Sequence, residues 1–106
     1  MGEAPDKPDP RGFINLSKKL LGDKLGASNI PISYLGDTIA EINTVINARK
    51  EIPSQKFISI GISPPHLHLK NLLKERNLYE RNLQNAGADL ILNSINELKD
   101  INFDLF

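Results

Sequence analysis

The sequence predicts an α/β fold in which a parallel sheet of about three strands is flanked by helices. Three short apolar runs are each followed by turn-forming residues, which is typical of buried strands. Segments with helical spacing of apolar residues lie between these runs. Because strands alternate with helices, the connections are right-handed crossovers and the strands run parallel. A length of 106 residues suits one domain.

Charge and composition exclude several classes of function. Lys plus Arg and Asp plus Glu number 13 each, so no basic excess favours nucleic acid or an anionic membrane. The absence of cysteine excludes disulfides, zinc thiolate sites and thiol nucleophiles. The first residues lack a signal-peptide pattern, and no segment approaches the ~20 apolar residues that span a bilayer. We therefore expect a cytoplasmic protein with no nucleic-acid or membrane partner.

The first predicted helix follows a loop rich in proline and charge. Residues 1–9 form this loop, and Asp9 is placed to cap a helix that has Pro10 at its first position. Gly22 is expected to end the helix. Its predicted apolar stripe comprises Phe13, Leu16 and Leu20.

The second helix is predicted to begin directly after the first strand. Residues 31–35 form a short apolar run that stops at the turn sequence GDT, residues 36–38. Thr38 and Glu41 have the spacing of a capping box, in which each side chain bonds the other residue's backbone N–H. The predicted apolar stripe comprises Ile39, Ile42, Val45 and Ile46.

A second strand and a long helix are predicted next. Residues 57–62 are nearly all apolar, as expected for a parallel strand covered by helices on both faces. The prolines at 64 and 65 separate it from a helix predicted from about residue 66 to residue 86, which ends at Gly87. We expect that helix to pack its apolar stripe on the sheet; the stripe comprises Leu69, Leu72, Leu73, Tyr79 and Leu83.

The last predicted elements are a short strand and a brief helix. Residues 88–92 form the strand, and Ser94 with Glu97 offers another capping box. The predicted order is therefore α-β-α-β-α-β-α.

Asp37 is the first candidate for chemistry. Ligands of open parallel sheets bind at the carboxyl ends of the strands, where this residue lies. Mg²⁺ takes oxygen ligands from one or two acids, water and phosphate. Pattern alone favours the simpler alternative, in which Asp37 is a turn residue and Glu41 a capping partner.

Lys7 and the two histidines are weaker candidates by pattern alone. Lys7 projects from a proline-rich loop near a helix N-terminus, which suits phosphate binding, although such lysines are usually solvated surface charges. His66 and His68 form a His-x-His pair, but residues two apart on a helix do not share a face. A minor role for His66 in substrate access stays open.

Four separated segments resemble haloacid dehalogenase-like hydrolases of the phosphatase type. The sequences APDKPDP at residues 4–10 and YLGDTIAE at residues 34–41 are similar to the third and fourth motifs of that superfamily. The resemblance continues through GISPPH at residues 61–66 and AGAD at residues 86–89. Among its members, the chain most resembles an uncharacterised cyanobacterial subgroup. The resemblance implies the C-terminal half of a Rossmann-like core.

The resemblance also implies roles for individual residues. Lys7 would neutralise phosphate and nucleophile charge, and Asp37 would hold Mg²⁺. Gly36 would keep the turn tight, and Thr38 would cap the helix. Glu41 stands where the family usually has a second acid, commonly Asp, so we assign it water-mediated support or orientation of Lys7.

The family's nucleophile has no counterpart in this sequence. These phosphatases form an aspartyl-phosphate on an Asp-x-Asp motif, and no two aspartates of the chain are two residues apart. Residues 1–106 are therefore expected to form a single partial domain without the nucleophile strand or cap domain. Ser63 follows the lysine loop, so we expect it to cap a helix instead of replacing the family's Ser/Thr motif. We expect a truncated or split product, inactive alone, with an open sheet edge beside Asp37.

Two hypotheses about function follow. In the first, the chain is part of a Mg²⁺-dependent phosphohydrolase that acts on small phosphorylated metabolites through Asp37 and Lys7 once the missing half is restored, either in a longer chain or by another chain. In the second, it is a non-catalytic interaction module that docks a partner through its sheet edge and Leu-rich helix.

Overall fold

The computed structural model describes residues 9–27 and 30–101, and it contains the predicted alternation of helices and strands. Among these residues, no helix is long and apolar enough to cross a membrane. The α-helices and strands in chain order are α1 Arg11–Leu21, β1 Ile32–Gly36, α2 Ile39–Glu51, β2 Phe57–Ile62, α3 Leu73–Ala86 and β3 Leu90–Leu92. Short 3₁₀ helices span Gly22–Lys24, Pro65–His68, Lys70–Leu72 and Ile95–Asp100.

The three strands form one parallel sheet in the order β1-β2-β3. Ile32 pairs with Phe57 in the register of β1 and β2, and Ile60 pairs with Leu90 in that of β2 and β3. The parallel α/β prediction is therefore confirmed. β2 has the predicted bounds because all six of its residues are apolar or small and suit a central strand.

All three α-helices lie on one face of the sheet. Side chains of Phe57 and Gly61 project to the same face of β2, since they are separated by an even number of residues. Phe57 belongs to a core cluster with residues of α1 and α2, and a Cβ on Gly61 would contact Leu83 of α3. Sequential strands joined by right-handed crossovers place their helices in this way.

The opposite face of the sheet is packed against a 3₁₀ helix and the residue after it. Ile58 and Ile60 of β2 project there and are 1% and 0% exposed. The residues that pack with them include Leu98 and Ile101, in and after the 3₁₀ helix Ile95–Asp100. The expectation of α-helices on both faces of β2 therefore does not hold for residues 9–27 and 30–101.

The predicted apolar stripe of α1 is wrong in part. Leu16 and Leu20 are 55% and 67% exposed, whereas the buried residues of this helix are Phe13, Ile14 and Ser17. The Phe13 ring packs on the rings of Tyr34 and Phe57 at centroid distances of 4.9 and 5.2 Å, and this contact fixes which side of α1 faces the core. The helix begins at Arg11 and Pro10 is its N-cap residue, so the predicted start at Pro10 with Asp9 as the cap is wrong by one residue. The Asp9 carboxylate still accepts a hydrogen bond from the Arg11 N–H at 2.9 Å.

The long helix predicted from residue 66 also differs in the structure. Residues 65–72 form two 3₁₀ helices separated by Leu69, whose ψ of 143° is extended, and α3 begins only at Leu73. The residues buried in this region are Leu67 and Leu83, while Leu69 and Leu73 are 60% and 56% exposed. Two of the five residues of the predicted Leu-rich stripe, Leu69 and Leu73, are therefore exposed instead of packed on the sheet.

The Asp89 side chain forms a hydrogen bond to β2 just before β3 begins. The Asp89 carboxylate accepts a hydrogen bond from the Ser59 N–H at 2.8 Å, and the Asp89 N–H donates to the Ser59 carbonyl at 2.8 Å. Arg49 of α2 forms an ion pair with the same carboxylate and donates to the Phe57 carbonyl. These contacts join β2 to the residue that precedes β3, which spans Leu90–Leu92 and is shorter than the predicted residues 88–92.

Candidate functional site

A cavity of about 540 Å³ opens at the carboxyl ends of the strands. β1 and β2 contribute to it, and so do α2, the 3₁₀ helix after β2 and Ser94, which follows β3. The lining residues are Leu35, Gly36, Asp37, Glu41, Ile62, Ser63, Pro65, His68 and Ser94. Cavities of this kind mark ligand sites in open parallel sheets.

Asp37 lies at the mouth of this cavity, directly after β1. Its backbone N–H donates to Glu41 Oε1 at 2.9 Å. The hydroxyl of Tyr79, in α3, donates to the Asp37 backbone carbonyl. Burial, followed by the negative charges of Asp37 and Glu41, raises the pKa of Tyr79, so its hydroxyl keeps the proton that this bond needs. The main chain of Asp37 is therefore held from α2 and α3.

Glu41 forms the predicted capping box with Thr38. Its Oε1 atom accepts hydrogen bonds from the N–H groups of Asp37 and Thr38 and from the Thr38 hydroxyl, at 2.9–3.2 Å. Thr38 Oγ1 accepts from the Glu41 N–H at 3.2 Å. Tyr34 adds a longer contact of 3.4 Å to Oε2. These bonds confirm the cap function of both residues and orient the Glu41 carboxylate toward the protein backbone.

Gly36 permits this arrangement. A Cβ at residue 36 would lie 2.6 Å from the Cβ of Glu41, which is closer than packed carbon atoms approach. The predicted tight turn at Gly36 therefore has a steric cause: the Glu41 side chain crosses above the glycine.

A network of polar side chains fixes the β2 and β3 side of the cavity. Ser63 is 2% exposed and donates from Oγ to Glu80 at 2.6 Å. Arg76 bonds the same Glu80 oxygen at 2.8 Å and the Asn93 carbonyl at 3.1 Å. Ser63 thus bonds α3 through its side chain, and its expected function as a helix cap is wrong. Only Arg76 and Glu80 are close in the sequence. The other members of the network are 13 or more residues apart, so no local pattern in the sequence indicates it.

The structure brings His68, and not His66, to the cavity. His68 Nε2 lies 3.0 Å from the Ser63 carbonyl oxygen, while His66 is exposed and does not line the cavity. The helix that was predicted to begin at residue 66 would have placed these side chains differently. The 3₁₀ helix Pro65–His68 instead folds His68 back toward the end of β2.

Lys7 lies outside the described residues. The predicted contact of Lys7 with phosphate, and its orientation by Glu41, therefore stay predictions.

The described residues fit a Mg²⁺ ion only in part. No group of three or more His, Cys, Asp or Glu residues is arranged to hold a metal in residues 9–27 and 30–101. Glu41 directs Oε1 at the cap of α2, so among the described residues of the β1 side Asp37 is better placed than Glu41 to be a metal ligand. Because Mg²⁺ commonly binds one or two carboxylates with water and phosphate, a second acid from outside this part of the chain would complete the site.

Comparisons with protein-family models, curated proteins and solved structures found no match for this chain. Statements about the site therefore depend on its own residues. The geometry defines a cavity with one acidic loop on the β1 side and one histidine on the β2 side.

Proposed function

We propose that this chain is the lysine and metal half of a Mg²⁺-dependent phosphohydrolase of the haloacid dehalogenase-like type. Its substrates would be small phosphate monoesters, hydrolysed through an aspartyl-phosphate. The nucleophile would come from a strand that pairs with the outer edge of β1. The observation that carries the proposal is the position of Asp37 at the carboxyl end of that edge strand, in the wall of the cavity.

The geometry of β1 supports a partner strand at its outer edge. In the described residues, β1 pairs with β2 on one side only. The Ile32 N–H donates to the Lys56 carbonyl, so residues 32, 34 and 36 direct their backbone groups toward β2. Ser33 and Leu35 alternate with them, and their N–H and C=O groups point away from the sheet. Such an edge is a template for another strand.

A strand docked there in parallel would bring its own carboxyl end to the cavity. Neighbouring strands lie about 4.8 Å apart, so the residue after the partner strand would be next to Asp37. An acidic residue at that point would supply both the second Mg²⁺ ligand and the nucleophile. Bound Mg²⁺ would neutralise phosphate charge and polarise the phosphoryl oxygens.

Other residues of this chain would position Asp37, add positive charge and exclude water. Glu41 and Tyr79 hold the main chain of Asp37 from two helices, which limits the motion of its carboxylate. Lys7, from the loop before α1, would add positive charge beside the phosphate. The apolar wall at Leu35 and Ile62 would exclude water from part of the cavity.

The proposal can be tested on the assembled enzyme. Tagged chain is used to recover its partner from extract of the source cells, and a recombinant complex of both chains is assayed with p-nitrophenyl phosphate. We expect Mg²⁺-dependent hydrolysis that neither chain shows alone. Asp37→Asn should lower kcat by at least about 100-fold, because it removes a charged metal ligand.

Asp23→Asn is the matched control, since Asp23 is exposed in the 3₁₀ helix Gly22–Lys24 and does not line the cavity. It should leave kcat unchanged. Activity that survives Asp37→Asn, or that persists in excess EDTA, would contradict the proposal, as would a partner without an acidic residue after an apolar strand.

We propose the interaction module as the second candidate because α3 and the segment before it expose large apolar side chains. Leu69, Leu73 and Leu78 are 60%, 56% and 57% exposed. If these leucines dock a regulatory partner, substitution of Leu69 and Leu73 by Ser should abolish partner binding while Asp37→Asn has no effect. Partner binding that survives the leucine substitutions, together with loss of hydrolysis in Asp37→Asn, would favour the enzyme.

A further inference from the structure

His66 and His68 lie in the same 3₁₀ helix but differ in their surroundings. His66 is exposed, and no hydrogen bond joins it to another residue of the described chain. His68 is partly buried, lines the cavity and places Nε2 at 3.0 Å from the Ser63 carbonyl oxygen. His68 is therefore a candidate for contact with a ligand, and His66 is a control in the same 3₁₀ helix.

The contact with Ser63 determines the tautomer of the His68 ring. A carbonyl oxygen only accepts hydrogen bonds, so the Nε2 atom must carry the proton. In the neutral ring the lone pair is then on Nδ1, which can accept a hydrogen bond. No described residue bonds Nδ1.

The position of the ring is well supported. The Ser63 side chain is bonded to Glu80, which Arg76 holds in turn, so the carbonyl that orients His68 is itself fixed. Leu67, next to His68 in the chain, is 9% exposed and anchors the 3₁₀ helix. Such an arrangement holds a side chain ready for a ligand at low conformational cost.

The other walls of the cavity indicate what the ring would meet. Asp37 and Glu41 form an acidic end on the β1 side, where metal and phosphate would bind. Leu35, Ile62 and Pro65 are apolar and suit a carbon skeleton. His68 comes from the β2 side and adds a hydrogen-bond acceptor. A substrate that uses all three parts has a hydroxyl group on its carbon skeleton.

We propose that His68 is a substrate-binding residue whose Nδ1 accepts a hydrogen bond from a hydroxyl group of a phosphate monoester. The proposal rests on the proposed function and adds a substrate class to it: phosphate esters of hydroxylated carbon skeletons. His68 would select these over esters of plain alkyl chains, because an alkyl chain would leave Nδ1 unpaired in the cavity.

The test compares glycerol 3-phosphate with n-propyl phosphate, which has the same carbon count but no hydroxyl groups. The assembled complex should have a higher kcat/KM for glycerol 3-phosphate. His68→Phe keeps the ring volume and removes both nitrogens, so it should reduce the preference about tenfold, mainly through KM. His66→Phe should leave the preference unchanged.

Three outcomes separate this inference from the proposed function. A preference that His68→Phe does not change overturns the contact while leaving the enzyme intact. The absence of Mg²⁺-dependent hydrolysis of either ester overturns both. In the chain alone, long-range ¹H–¹⁵N spectra of the imidazole should show the proton on Nε2 of His68, and a proton on Nδ1 in the neutral ring would overturn the inference independently of turnover.

Discussion

Residues 9–27 and 30–101 contain two capping boxes of similar geometry, one after β1 and one after β3. In the first, Glu41 Oε1 accepts from the N–H groups of Asp37 and Thr38. In the second, Glu97 Oε1 accepts from the N–H groups of Asn93 and Ser94 at 2.6 and 2.9 Å. The residue that precedes the cap is charged in one box and neutral in the other.

The comparison separates structural from chemical residues. In both boxes the glutamate accepts hydrogen bonds from the same two backbone N–H groups, so its presence after β1 needs no catalytic explanation. Asn93 bonds Arg76 through its side-chain oxygen at 3.3 Å and belongs to the network around Ser63. Asp37 instead lines the cavity at the edge strand. The feature that distinguishes the first box is therefore Asp37, together with the glycine before it.

The largest expected effect on stability comes from a side chain at residue 36. The matching residue of the second box is Leu92, so that box has room for a side chain where the first box has none. Gly36→Ala places a methyl group 2.6 Å from the Glu41 Cβ and should displace the glutamate. We expect a loss of about 1–3 kcal/mol in the free energy of unfolding, measured in urea. A variant as stable as the parent would mean that the Glu41 side chain moves without cost.

Replacing each glutamate should show which capping box contributes more to the free energy of unfolding. Glu41→Ala leaves two backbone N–H groups without their acceptor and should cost about 1–2 kcal/mol in urea unfolding. Glu97→Ala should cost less than about 1 kcal/mol, since it caps only the six-residue 3₁₀ helix Ile95–Asp100. Glu41→Gln keeps an acceptor oxygen and should stay close to the parent. If Glu41→Gln destabilises the chain as much as Glu41→Ala, the negative charge of Glu41 contributes more to stability than its hydrogen bonds in the cap.

Tyr79 has no counterpart in the second box, and its effect should be intermediate. Tyr79→Phe removes the hydrogen bond to the Asp37 carbonyl and should cost about 1 kcal/mol. Because burial raises the pKa of Tyr79 in the folded state, stability is retained at neutral pH and falls as pH rises above about 10.

The urea midpoint of Tyr79→Phe should therefore depend less on alkaline pH than that of the parent. Tyr34→Phe, which removes only the 3.4 Å contact with Glu41, is the control and should cost less. Equal alkaline loss in Tyr79→Phe and the parent would exclude Tyr79 as the group responsible.

The smallest effect on stability should come from Asp37→Asn, which converts the first box to the residue pattern of the second. The bond from the residue-37 N–H to the Glu41 carboxylate survives, and asparagine keeps the side-chain volume and one acceptor oxygen, so the free energy of unfolding should change by less than about 0.5 kcal/mol. If Asp37 holds Mg²⁺ as proposed, adding Mg²⁺ to the assembled complex should shift the residue-37 amide resonance in the parent and not in Asp37→Asn. A large loss of stability would show that the carboxylate is structural.

Local patterns predicted the elements whose cause is local. β2 follows from a six-residue apolar run, and both capping boxes follow from side chains three residues apart, because their bonds form within one turn. Gly87 ends α3 as predicted, with a positive φ of 118°. The acidic loop at Asp37 was likewise located by the end of the strand that precedes it.

Features that depend on tertiary contacts were missed. The exposure of Leu16 depends on where Phe13 meets two other aromatic rings, which helical spacing does not specify. His68 reaches the cavity because the chain bends at Leu69, and its bonding partner is a backbone carbonyl that no sequence pattern identifies. Helical periodicity across residues 66–72 therefore predicted the wrong geometry for both histidines.

The order β1-β2-β3 has a consequence for assembly. Each strand pairs with its nearest neighbour in the chain, so the loops that close during folding are short and the helical face can form rapidly. Docking of the proposed second chain on the β1 edge would be a separate bimolecular step whose rate rises with concentration. Mixing experiments should accordingly resolve a phase independent of concentration, followed by one that accelerates as the partner is added.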